Sequence, residues 1–167
     1  MNRNKPAYLL VLGVGNVLLR DEGVGVHVIK ELQKRSFHPK VEIIEAGTAG
    51  MELLYLINDA AYLIIIDCIE ADAEPGTVFA FAPEEIDSYI PHLRSSLHEL
   101  GMPEVLESAR LLGKLPPTKV FAVQPSVIEW GLELSPVIQA KLPRLVALVR
   151  EEISRWLEGN VSLLKEQ

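Results

Sequence analysis

Residues 8–32, YLLVLGVGNVLLRDEGVGVHVIKEL, carry an apolar segment of β-strand character into Gly13-Val14-Gly15-Asn16. A helical pattern follows, opened by two adjacent acids, Asp21 and Glu22. A strand that turns through glycine into a helix belongs to layered α/β architecture, and it puts a carboxylate at the C-terminal edge of a strand, where open α/β sheets bind their ligands. The unit lacks the marks of a nucleotide loop. Gly13, Gly15 and Leu18 miss the third glycine of G-x-G-x-x-G, and no Lys-Ser/Thr pair stands where a P-loop needs one. A carboxylate-based metal site is the stronger expectation.

The rest of the chain keeps alternating strand and helix. Strand one is expected over residues 7–14, and a helix over about 22–34 with Val24, Val28 and Leu32 on one stripe, Gly25 and Ile29 beside it. Residues 41–44 read as strand two, ended by the turn glycines Gly47 and Gly50, with a short helix over 51–57. The continuous apolar run at 62–66, bounded by Asp67, is expected as a central strand buried on both faces. Residues 77–81 follow a Pro75-Gly76 turn with no helix-length crossover, which suits an antiparallel strand at a sheet edge. Ser96 and Glu99 form a capping box for a helix starting at Leu97; Pro103 either kinks that helix or starts a second one in its own first turn, which Gly113 ends. Residues 119–124 make the last strand. Ser135-Pro136 then reads as an N-cap followed by proline at the first helical position, and the final helix carries Ile138, Leu142, Leu145, Val149 and Trp156 on one face, with Pro143 bending it. The expected architecture is one domain over 1–167 with loose ends at 1–6 and 160–167: a three-layer α/β/α fold around a twisted, mostly parallel five-stranded sheet with helices on both faces.

Composition narrows the partners. The 167 residues suffice for one full core, and 49% hydrophobic with 23% charged residues describes a globular chain. A net charge of −7 argues against nucleic acid or an anionic membrane surface as the main partner. The single cysteine, Cys68, excludes an internal disulfide and any cysteine-rich zinc module, and suits a reducing cytoplasm. Arg3 and Lys5 before an apolar stretch imitate a signal peptide, but no small-residue cleavage site follows, and Asn16 and Arg20-Asp21-Glu22 break the run.

Three ionisable residues stand at element ends expected on one rim of the sheet: Glu22 after strand one, Asp67 after strand three, and His98 in the first turn of the capped helix. Two carboxylates and an imidazole suit a borderline divalent ion such as zinc or nickel, with positions left for water or substrate. Such an ion polarises a carbonyl or activates water at neutral pH. A helix N-terminus also disfavours imidazolium and keeps His98 able to ligate. Each residue has a structural alternative: Glu22 as a helix-dipole partner, Asp67 as a loop cap, His98 as an exposed helix-start residue. Cys68 next to Asp67 reads as a buried small residue, since successive strand residues face opposite ways and nothing marks a thiolate-activating environment. G-x-S-x-G and H-E-x-x-H are both absent.

In order along the chain, LGVGNVLLRDEGVGV (12–26), VEIIEAGTAGMELL (41–54), LIIIDCI (63–69), PGTVF (75–79), SSLHELG (95–101) and FAVQPSVIEWGLELSP (121–136) resemble the maturation endopeptidases of NiFe hydrogenases. The resemblance carries the family's metal-binding residues onto Glu22 in G-x-G-N-x-L-x-x-D-(D/E)-G, onto Asp67 and onto His98. It implies an endopeptidase that removes a C-terminal extension from a nickel-loaded hydrogenase large-subunit precursor, the nickel belonging to the substrate. Zinc or cadmium could fill the same site in vitro. It also implies a monomeric cytoplasmic protein with a water nucleophile, and a substrate-binding turn at Glu45, Gly47 and Thr48, although the family often has an aspartate where Glu45 stands. The alternatives are an escort that senses nickel without cutting, and a metallopeptidase of other specificity acting through a metal of its own. Residues 127–134, with Trp130, read either as a docking surface for the large subunit or as a loop folded onto the core.

Overall fold

The computed structural model of this chain describes residues 8–85 and 102–161, and of residues 102–104 the backbone alone. Two apolar strands dominate it. β1 (Tyr8–Val14) is buried along its whole length, and β3 (Ala60–Cys68) is buried from Leu63 onward. Strands hidden on both faces need a layer on each side, which is the setting of parallel sheets. With β2 (Val41–Gly47), β4 (Val78–Phe81) and β5 (Thr118–Val123) they form a five-stranded sheet of order β2-β1-β3-β5-β4. Only β4, at the edge, runs antiparallel to its neighbour.

Strand alternation divides the core into two layers. Leu9 and Val11 of β1, Ile64 and Ile66 of β3, and Phe121 and Val123 of β5 pack under α1 (Val24–Gln33) and α4 (Pro136–Gly159). Leu10, Leu12, Leu63, Ile65, Val120 and Ala122 face the other way, against Leu53, Ile57 of α2 (Leu54–Asn58), and Val105 and Ala109 of α3 (Met102–Leu111). Each fully buried Val, Leu or Ile contributes roughly 1.5–3 kcal/mol. The residues expected on one face of α4, from Ile138 to Trp156, are all buried.

Several boundaries differ from the expectation. The first helix is split: a 3-10 turn over Arg20–Gly23 precedes α1, so Glu22 sits in that turn and not in the first turn of the α-helix. Arg20, which opens that turn, has φ 49°, outside helical values. Asp67 is a strand residue in register with Ala122, because β3 continues pairing with β5 past the apolar run. Pro103 lies in the first turn of α3, so it starts a helix. Gly113, at φ 65°, follows that helix as foreseen. The helix expected from Leu97, with His98, lies outside the described residues, as do residues 1–6 and 162–167 of the expected loose ends. Among the described residues no helix is long and apolar enough to cross a membrane.

Candidate active site

From β1 the chain crosses to β2 on one side and returns to β3 on the other, so the C-terminal edges of β1 and β3 flank the point where strand order reverses. Crevices at such points are where open α/β sheets bind ligands. Glu22 stands on the turn leaving β1, and Asp67 is the penultimate residue of β3. Two glycines allow the turn and helix to sit this close. A Cβ on Gly25 would lie 2.3 Å from the carbonyl oxygens of both Val14 and Ile66, so only glycine lets α1 rest on the ends of β1 and β3. Gly15, at φ 124°, would put a Cβ 1.8 Å from the Glu22 carbonyl.

Asp67 is 4% exposed, and one of its oxygens accepts the Cys68 N–H at 2.7 Å. Burial pushes its carboxyl up to about 7, against the pull of that N–H, and the charge of Glu22 pushes it further the same way. A carboxylate so placed is unstable as an anion and gains from a nearby cation. Strand alternation turns Asp67 away from Cys68, which packs in the α1–α4 layer. Burial and the surrounding acids raise the Cys68 thiol, leaving it unreactive.

The adjacent acid does different work. Asp21 is fully buried and accepts four hydrogen bonds, from the backbone N–H groups of Ser126, Val127 and Ser135 and from the Ser135 hydroxyl, at 2.7–2.9 Å. Burial opposes its charge, but the bonds from Ser135, Val127 and Ser126 outweigh it and hold the carboxyl below the usual range. Ser135 does occupy the N-cap position of α4, but its hydroxyl goes to Asp21 and not to the helix. Arg20 adds to the tie, bonding the Glu133 carbonyl through Nε at 3.2 Å and pairing with Glu129 at 2.9 Å. The Leu18 carbonyl accepts the Gly131 N–H, and the Arg20 N–H reaches the Gly131 carbonyl. Residues 126–135 are thus fastened to the turn that bears Glu22.

Asp21 escaped the sequence reading because its partners lie more than 100 positions away. The doublet itself was the available signal: two neighbouring acids in a tight turn point in different directions, so one of them has another task. Glu45, Gly47 and Thr48 sit at the C-terminal end of β2, on the same rim; Gly13 pairs with Glu45, and the Gly15 N–H bonds the Gly47 carbonyl. Ala46 belongs to the α2–α3 layer, so alternation directs Glu45 to the face opposite Asp67. Among the described residues no three metal-ligating side chains converge. The structure brings Glu22 and Asp67 together, and His98 lies outside the described residues.

A family model described as hydrogenase maturation protease matches residues 26–152. The hydrogenase 2 maturation protease of Escherichia coli K12 is 37% identical over 150 residues, covering 86% of this chain and 91% of its own length. The hydrogenase expression/formation protein HupD of Bradyrhizobium diazoefficiens is 34% identical over 151 residues, covering 89% and 79%. Among solved structures, the hydrogenase maturating endopeptidase HybD from E. coli superposes with a TM-score of 0.80 at 35% identity, covering 89% of this chain and 93% of that one. The family match takes in β2 to β5 and most of α4, β1 and Glu22 lying before it, and the structural likeness covers 89% of the chain. The chain belongs to the hydrogenase maturation protease family, a family of peptide hydrolases.

Proposed function

We propose that this protein removes the C-terminal extension of a nickel-loaded NiFe-hydrogenase large-subunit precursor, recognising the substrate's nickel through Glu22, Asp67 and His98. The observation that carries the reading is the carboxylate pair at the β1–β3 crevice, where Asp67 is buried beside Glu22 and pushed up to about 7. That arrangement is costly in the free protein and is relieved by a cation brought in from outside. Carboxylate and imidazole donors also suit nickel, which accepts nitrogen and oxygen ligands. Nickel held by the substrate supplies Lewis-acid polarisation at the scissile peptide. The chain's own residues orient that metal and the adjoining peptide on the rim, with Asp67 giving up its proton as the cation arrives. Positioning of this kind supplies several kcal/mol of rate enhancement, about 7–11 kcal/mol in the best-aligned systems. Water serves as nucleophile, and the cytoplasm is the compartment.

The test is cleavage of nickel-loaded and nickel-free precursor by the wild-type protein, Asp67→Asn and His98→Ala. Cleavage of the loaded form alone, reduced at least 100-fold in both variants, is expected. Equal cleavage of both forms by the wild type would instead point to a metal of the protease's own.

A further inference from the structure

Residues 126–135 present apolar side chains outward. Trp130 is 79% exposed, Leu132 66%, Ile128 42%, and Leu18, joined to the loop by the Gly131 N–H bond, 47%. An exposed apolar side chain by itself is ordinary; several gathered on one short loop mark a contact surface. This loop is also held unusually firmly. Asp21 fastens it with four hydrogen bonds, Arg20 with two side-chain contacts, and the Leu18–Arg20 backbone with two more. A loop fixed in this way loses little further freedom when a partner covers it, so its apolar contacts convert to affinity with small entropic loss.

Its place in the fold says what covers it. Asp21, which anchors the loop, is the residue immediately before Glu22, so the apolar cluster stands at a fixed offset from the carboxylate pair. A partner that brings a cation and a peptide to Glu22 therefore meets a turn to which this surface is fastened.

We infer that Leu18, Ile128, Trp130 and Leu132 form a preorganised docking platform for the folded body of the large-subunit precursor, engaging an apolar surface beside the root of its metal-bearing tail. The inference rests on the function proposed above. It assigns recognition to two separate contacts: the tail and its metal on the carboxylates, and the folded body on the loop. Trp is among the residues most enriched at interface hot spots.

The experiment compares wild type, Trp130→Ala and the triple variant Leu18→Ser/Trp130→Ala/Leu132→Ser in cleavage of nickel-loaded precursor, with direct binding to the same precursor measured by interferometry. The replaced side chains are largely exposed, so thermal melts close to wild type are expected and confirm folding. For Trp130→Ala a KM at least tenfold higher is expected, with the loss in KM and not in kcat, since uniform binding is what has been removed. Unchanged KM in both variants overturns the platform and leaves the proposed function standing. If the wild type does not cleave, the proposed function fails. In that case, weaker binding of precursor by Trp130→Ala still upholds the platform, and equal or absent binding overturns it. Wild-type dimerisation at assay concentration that Trp130→Ala abolishes also overturns it, by making the patch a self-interface.

Discussion

Asp21 and Asp67 are both buried carboxylates near one rim of the sheet, and their opposite environments give them opposite effects on stability. Asp67 has a folded pKa of about 7, above the roughly 3.9 of an unfolded aspartate, so its contribution is fully present below about pH 4 and is lost as pH rises through 7. Asp21 is shifted downward; its contribution is present above the unfolded value and is lost as pH falls through the lower folded one. Asp67→Asn should therefore match wild type near pH 4 and exceed it progressively toward pH 8, by up to about 4 kcal/mol for a shift of about three units. Asp21→Asn should do the reverse. Its amide nitrogen cannot accept the N–H groups that Asp21 satisfies, which costs about 2–4 kcal/mol at pH 7, and the deficit should shrink in acid. Urea unfolding of the chelator-treated proteins from pH 4 to 8 measures both curves. Parallel profiles for the two variants would show that the burial of these groups is not what sets their energetics.

At the level of elements, the contact of α1 with β1 and β3 is a close backbone approach that only glycine permits. Gly25→Ala places its methyl 2.3 Å from two backbone carbonyls that cannot rotate aside, so a loss of at least about 3 kcal/mol is expected, with Glu22 displaced from the crevice. Gly113→Ala meets only open space and should cost about 1–2 kcal/mol through its φ of 65°. Chemical denaturation of the two variants measures the difference, and equal losses would rule out the close approach as its source. These elements also show how far the chain is legible. The apolar runs at Leu9–Val14 and Leu63–Ile66, the glycine turn after β1 and the helical stripe of α4 are local patterns, and each produced the element its pattern implied. Sequence placed Glu22 and Asp67 on one rim because strand exits in an α/β sheet share an edge. It did not foresee that Asp67 would be paired inside β3, or that Ser135 would serve Asp21. Those outcomes depend on partners far along the chain, which residue spacing does not encode.

Among the described residues, the two faces of the sheet are covered unequally. One face carries the 24-residue α4 and the 10-residue α1 over a continuous buried cluster running from Leu9 to Trp156. The other carries, among the described residues, the five-residue α2 and the 10-residue α3. Short helices fix fewer backbone hydrogen bonds for the apolar area they cover, so that face should open at lower free energy than global unfolding requires. Asp67 projects toward this weaker layer, on the opposite side of the sheet from Cys68. If that layer loosens first, β1 and β3, from whose ends Glu22 and Asp67 are held, stay paired. Hydrogen exchange of the free protein tests the division: amides of β1, β3 and α4 should exchange only through global unfolding, and those of α2 and α3 at least tenfold faster. Uniform exchange across both faces would mean that the two layers open as one unit. Access to Asp67 would then have to come from the exposed end of the crevice, beside Glu22.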